Sequence, residues 1–199
     1  MRVLIACEFS QIVARAFRER GHEAYSCDIL PTEGNSEWHI QGDVRGVLGD
    51  GWDMMIAHPP CTFLANSGVQ HLYKQPERWE SLIEANKFFL ILLNTPIEKI
   101  AVENPVPHGY TILPAYSQII HPYQFGHEVQ KRTCLWLKNL PLLKPTNVVS
   151  KGERYIGKNG KSNGSRWYQI LSMNGDRWKE RSRTFEGVAR AMAEQWGEL

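Results

Sequence analysis

Apolar residues in this chain fall into short dense runs separated by polar, glycine and proline positions, and their spacing sorts them into strands and helices. Val3-Leu4-Ile5-Ala6 has no polar interruption and predicts a short buried strand. Between Gln11 and Arg20, Ile12, Val13, Ala16 and Phe17 recur at helical spacing, and Gly21 supplies the stop. Glu23 to Cys27 predicts a second strand ending at Asp28, and His39-Ile40 a weaker third leading into Gly42-Asp43-Val44. Met54 to Ala57 predicts a fourth. Pro76 opens the longest predicted helix, Glu77 to Leu93, which carries Leu82, Ile83, Ala85, Phe88, Phe89 and Leu92 inward. Ile100 to Val102 predicts a fifth strand and Thr133 to Leu137 a later one. The final helix runs from about Phe185 to Gln195, with Val188, Ala189 and Met192 facing the core. Strands alternating with helices, without an internal repeat, predict an α/β fold: a Rossmann-like, doubly wound, mostly parallel sheet.

In such a sheet, ligands and chemistry collect at the carboxyl ends of the strands. The polar residues found there are Glu8, Asp28, Asp43, Cys61 and Glu103. The apolar run Met54–Ala57 breaks at Pro59-Pro60, because two prolines cannot continue a ladder, and Cys61 is delivered just beyond. Forty-two residues later a strand end carries Glu103-Asn104-Pro105. A thiol and a carboxylate placed this way suggest a nucleophile and a proton handler. The remaining acids suit a nucleotide-type cofactor lying across the sheet edge, with carboxylates accepting from ribose hydroxyls and an adenine amine. Taken singly, each Asp is more readily a turn former or helix cap than a ligand, and the series is what points to a cofactor. His58 reads as a turn residue, and Cys7, Cys27 and Cys134, in apolar runs, as core.

Composition narrows the class. With 199 residues, 42% hydrophobic and 22% charged, one domain with a sizeable core is expected. The N-terminal apolar stretch is too short for a signal peptide, and Phe88 to Leu93 is far below membrane-spanning length. A cytoplasmic protein without a membrane partner is expected. Four scattered cysteines with no Cys-x-x-Cys predict reduced thiols and no metal site. The net charge of +2 says little, but Lys144 to Arg183 holds ten basic residues against Glu153, Asp176 and Glu180, interspersed with glycines and with Tyr155, Trp167, Tyr168 and Trp178. A basic, aromatic loop of this kind suits a phosphate backbone and unstacked bases; it equally suits a solvated surface. Lys158, Lys161, Arg166 and Trp167 are its candidate nucleic-acid contacts, and Asn66 and Ser67, on the loop after Cys61, are placed to close on a base.

Asp28, Gly42-Asp43-Val44, Asp53 to Cys61 with its Pro-Pro-Cys, Glu103-Asn104-Pro105 and Gln130-Lys131-Arg132 together resemble the S-adenosylmethionine-dependent DNA cytosine-5 methyltransferases, in order and spacing, over about residues 1–140. The resemblance implies a class I methyltransferase fold, S-adenosylmethionine as cofactor and DNA as partner. It implies that Cys61 adds to C6 of cytosine, that Glu103 contacts N3 and the exocyclic amine, and that Arg132 favours the thiolate. Glu8, Phe9, Asp28, Asp43 and Pro59 would line the cofactor site. The target base would have to be flipped out or single-stranded. The chain departs from the family in several places: Phe9-Ser10-Gln11-Ile12-Val13 replaces a Phe-x-Gly-x-Gly loop, Thr62, Pro105 and Cys134 replace Gln, Val and Arg, and no large recognition domain is present. The expected layout is a catalytic core over 1–146, a basic loop or reduced recognition segment over 147–183, and a C-terminal helix over 184–199 packing back on the core. The resemblance implies a compact, phage-like variant with low or short-motif sequence specificity, expected to act in a bacterial or phage-infected cell. A related enzyme acting on RNA or a nucleotide, and a non-catalytic nucleic-acid-binding protein on a decayed methyltransferase fold, stay open, as does the oligomeric state.

Overall fold

The computed structural model describes residues 1–157, 162–171 and 177–199, without the side chains of 67, 68, 70, 162 and 163. In chain order the elements are β1 (Arg2–Ala6), α1 (Ile12–Arg18), β2 (Glu23–Asp28), β3 (His39–Gln41), β4 (Met54–Ala57), α2 (Arg78–Asn94), β5 (Lys99–Asn104), β6 (Gln118–Ile120) and β7 (Thr133–Lys138). They continue as β8 (Arg154–Ile156), β9 (Ser162–Ser165), α3 (Arg166–Leu171), α4 (Arg177–Ser182) and α5 (Glu186–Trp196).

Seven strands make one sheet in the order β3-β2-β1-β4-β5-β7-β6. Every pairing from β3 to β5 is parallel, and β7 runs antiparallel to both β5 and β6. This is a Rossmann-like, doubly wound, mostly parallel sheet. The uninterrupted apolar runs are explained by burial on both faces. Val3, Ile5, Met54, Ile56, Ala101 and Leu135 pack into one layer with α1 and α5. Leu4, Ala6, Met55, Ala57, Ile100 and Val102 alternate into the other layer, with Leu82, Phe89 and Leu92 of α2 and with Trp136.

Local chemistry sets the ends. Gly21, at φ +82°, takes the left-handed position that terminates α1. Gly187 lets α5 press on the backbone at Phe125, where a Cβ would stand 1.8 Å from the carbonyl oxygen. α5 is tied to α1 by Arg15–Glu186 at 2.9 Å, and its Trp196 Nε1 donates to the Pro141 carbonyl.

Several expectations need correction. β6 follows a proline-rich loop and is only three residues long, too short to announce itself. Ile83 faces solvent, 54% exposed, while Asn86 takes a buried place on α2; it donates to the Leu82 carbonyl and accepts from the Ile112 amide. Within 147–183, expected to be a basic loop or a reduced recognition segment, the described residues form the β8–β9 hairpin and the short helices α3 and α4. Cys27 and Cys134 are buried, but Cys7 is only partly so and lines a cleft.

Candidate active site

Between β1 and β4 the order of the sheet reverses: the chain leaves β1 toward β2 and leaves β4 toward β5. Such a switch point opens a crevice beyond the carboxyl ends of the strands. A cleft of about 1280 Å³ lies there, and Cys61, Glu103, Arg132, Glu8, Phe9, Asp28, Asp43, Pro59 and Asn66 all line it.

The half of the cleft nearest β5 is rigidly built. His58 continues β4, its amide donating to the Ala6 carbonyl at 2.9 Å. Its Nδ1–H donates to Glu103 Oε2 at 2.9 Å, with the two side chains 7% and 17% exposed. The expectation that His58 is a simple turn residue is therefore replaced: it is the partner of Glu103. One residue on, Asn104 Nδ2 donates to the Pro59 carbonyl at 2.8 Å. Consecutive residues at the end of β5 thus hold consecutive residues of the Pro-Pro turn. The Cys61 carbonyl accepts from the amides of Leu64 and Ala65, which closes the turn that carries the thiol. Burial works to raise the Glu103 carboxyl, but the bond from His58 and the charges of Lys131 and His58 outweigh it and hold Glu103 below the usual carboxylate range. Burial, followed by the Glu103 charge, pushes the Cys61 thiol up, against the pull of Lys131 and Arg181. The cations acting on Cys61 are those two; Arg132 lines the same cleft as an exposed residue and bears instead on Cys134 and His121.

The other half of the cleft carries the candidate cofactor residues. Asp28 ends β2, half-buried, with Oδ1 accepting from the Leu30 amide at 2.9 Å; burial raises its carboxyl. Phe9, Ile29, Val44 and Pro59 supply apolar wall. Gln11 stands where the related loop has its first glycine and adopts φ 57°, the left-handed conformation glycine favours. Two side-chain bonds compensate: Gln11 Nε2 donates to the Asn35 carbonyl at 2.7 Å, and Arg18 Nη2 donates to Gln11 Oε1 at 3.0 Å. These two bonds hold the Gln11 side chain while its backbone takes the left-handed conformation. Glu8 is buried and accepts from the amides of Val13 and Ala14 at 2.7 and 3.2 Å, so it occupies the N-terminal end of α1. Asp43 caps its own turn through the Arg45 amide and is paired through both oxygens with the Arg45 guanidinium, which lowers its carboxyl to about 2. A ring-and-ribose cofactor fits this half: Asp28 offers a half-buried acceptor between apolar walls, whereas Glu8 and Asp43 are committed to internal partners.

Tyr168 of α3 and Trp178, Arg181 and Ser182 of α4 also line the cleft. The Trp178 ring lies 6.2 Å from that of Phe9. Arg183 grips Glu33, on the loop after β2, through two bonds of 2.7 and 3.1 Å. α3 and α4 thus bring part of the basic segment to the cleft. Arg166 is engaged by Glu153. Trp167 packs on Tyr168 and Phe185, at 5.0 and 5.3 Å between rings, which differs from the expected free stacking residue. Lys158 and Lys161 lie outside the described residues, as does the side chain of Ser67. Sequence reasoning missed His58, Asn104, Lys131 and Arg181 as site residues; adjacency to Pro59 and Glu103 was the one local signal for the first two. Among the described residues, no helix is long and apolar enough to cross a membrane, and no group of three or more His, Cys, Asp or Glu is placed to hold a metal ion.

No protein-family model matches the chain, and no curated protein matches it. Among solved structures, one match is a candidate DNA modification methyltransferase encoded within an E. coli prophage, at 13% identity and a TM-score of 0.49. The match covers 75% of this chain and 52% of that one, so the chain spans about half that protein's length. The fold assignment rests on the strand order itself.

Proposed function

We propose that this protein is an S-adenosylmethionine-dependent DNA cytosine-5 methyltransferase acting through a covalent adduct on Cys61. The observation that carries the reading is the meeting of Cys61 and Glu103 in one cleft, with Glu103 buried on His58 and the Pro-Pro turn pinned by Asn104. C5 of cytosine is a poor nucleophile, and a thiolate added at C6 changes that. The Cys61 sulfur forms a bond to C6, the C5–C6 electron pair moves onto the ring, and C5 becomes an enamine carbon. Glu103 accepts from the exocyclic amine, and in its protonated form donates to N3, offsetting the charge that addition places on the ring. Because Glu103 is held low in the free site, that proton has to be supplied from outside the carboxylate, and His58 is the group bonded to it. Bound S-adenosylmethionine would supply an electrophilic methyl group to C5. Loss of the C5 proton to a base and breakage of the C6–S bond then return the Cys61 thiolate and a 5-methylated ring. Asp28 would hold the cofactor's ribose hydroxyls, and Phe9 and Pro59 its apolar surface. Asp43 would reach an adenine amine once Arg45 releases it.

The cleft is covered in part by α3 and α4, so a target base must leave its stack to reach Cys61. The direct test is incubation of the protein with methyl-labelled S-adenosylmethionine and cytosine-containing DNA, followed by nucleoside analysis. Label in 5-methyldeoxycytidine supports the proposal. Label in RNA or in a free nucleotide would move the substrate. Absence of cofactor binding to the wild-type protein by calorimetry would leave the non-catalytic nucleic-acid-binding reading, which the committed Glu8 and Asp43 favour.

A further inference from the structure

The geometry points to His58 Nε2 as the base that takes the C5 proton in the proposed reaction. The inference rests on the methyltransferase reading and assigns the one proton acceptor which that reading leaves unnamed.

Glu103 is held below the usual carboxylate range, and an ionised carboxylate only accepts hydrogen bonds. The 2.9 Å bond between the two groups therefore fixes the His58 proton on Nδ1 and leaves a lone pair on Nε2. Among the described residues Nε2 has no hydrogen-bond partner, although it is buried, on a side chain only 7% exposed in a residue that lines the cleft. A buried acceptor left open is destabilising, and a ligand that brings a proton to it supplies what is missing.

The other titratable groups lining the cleft are committed or badly placed. Glu8 accepts from the amides of Val13 and Ala14, and Asp43 is paired with Arg45. Asp28 ends β2, two strands away from β4. Burial raises the Cys7 thiol and the Tyr168 hydroxyl, which keeps both protonated. The Lys131 ammonium donates to the Arg181 carbonyl, and His71 is exposed at the end of the turn over Asn66–His71.

Stereochemistry selects the same side. Cys61 and His58 belong to one turn at the β5 half of the cleft, and the candidate cofactor residues form the other half. Sulfur adding from the first half and methyl arriving from the second leave the new bonds on opposite faces of the ring. The C5 hydrogen is thereby turned to the face that carries sulfur, where His58 stands. In the step itself the C5–H bond breaks and its electron pair re-forms the C5–C6 double bond. The C6–S pair leaves on the Cys61 sulfur, and the proton bonds to Nε2, directly or through one water molecule. Glu103 opposes the imidazolium charge from the other ring nitrogen, and the proton passes to solvent as the product leaves.

The test is His58→Asn, whose side-chain amide can stand near the place of Nδ1–H and keep the bond to Glu103 while offering no base. Protein, methyl-labelled S-adenosylmethionine and DNA with ordinary cytosine are mixed, denatured at intervals and examined by intact mass. Wild type should show little adduct and steady release of 5-methylcytosine. His58→Asn should form the adduct within a few-fold of the wild-type rate and release product about a hundredfold or more slowly, so that a methylated protein–DNA species accumulates. His58→Gln, a second variant without a base, should accumulate the same species. Release at the wild-type rate in either folded variant overturns the proposal. Equal slowing of adduct formation and release also overturns it, because His58 would then act only by holding Glu103. Accumulation in His71→Asn and not in His58→Asn would move the role to His71. A wild type that transfers no methyl group at all is a failure of the methyltransferase reading, and it registers before any variant is compared.

Discussion

Replacing His58 with alanine removes the bond its Nδ1–H makes to Glu103 and leaves a buried carboxylate without its partner. With the two side chains 7% and 17% exposed, water cannot fully substitute, and the loss should cost about 1.5–3 kcal/mol. For a chain of this size that is roughly 3–12 °C in Tm. The pH dependence gives the signature. In the wild type Glu103 is held below its ordinary value, so its contribution is present above the unfolded pKa, near about 4.3, and is lost as pH falls through the lower folded value. In the variant, burial dominates what remains, and the carboxyl rises. The stability gap between the two proteins should be widest near neutrality and should close as both carboxyls protonate below about pH 4. Urea unfolding at several pH values measures it, with slopes compared to confirm that only stability has changed. A gap below about 0.5 kcal/mol, or one of the same size at neutral and acid pH, would refute the claim that this bond governs Glu103.

The other expectations are briefer. Asp28→Ala should weaken S-adenosylmethionine binding by about 1–3 kcal/mol in calorimetry, whereas Asp43→Ala should cost less, because Arg45 already occupies that carboxylate; equal losses would contradict the assignment. Alkylation of Cys61 should rise with pH along a curve displaced to the alkaline side of an ordinary thiol, and Glu103→Gln should remove only part of that displacement, because burial remains. A curve at or below the ordinary position in the wild type would show that burial is not the governing influence. Glu103→Gln should slow turnover by about 2–4 kcal/mol of barrier while leaving DNA affinity within a few-fold; loss of DNA affinity alone would make Glu103 a structural strand end.

How much could be read from the residues depends on what each element needed. Val3–Ala6, Met54–Ala57 and Ile100–Val102 are buried on both faces, so their apolar runs are unbroken and their placement was legible. With them came the switch point and the neighbourhood of Cys61 and Glu103. Ile83 was misplaced because α2 carries apolar residues on more than one side, and period alone cannot choose its inner face. His58 looked like turn material because nothing local reveals a partner forty-five residues away. Gln11 is a further case: the missing glycine was legible, but the left-handed backbone there and the two side-chain bonds that accompany it were not. The basic segment was legible as charge and aromatics only. Which of its cations are paired and which face the cleft depends on Glu33, Glu153 and Glu180, and no composition count reports those contacts.

The central claim is the bond between Cys61 and C6 of cytosine. Its most direct measurement is trapping with DNA in which the target cytosine is 5-fluorocytosine, in the presence of S-adenosylmethionine. Fluorine cannot leave as the C5 proton does, so the adduct cannot collapse. Intact-mass analysis should show a stable protein–DNA species, and peptide mapping should place the attachment at Cys61. Cys61→Ala protein should bind the same DNA and form no such species. A folded, cofactor-bound wild-type protein that methylates cytosine yet yields no adduct, or an adduct that persists in Cys61→Ala, would contradict the account.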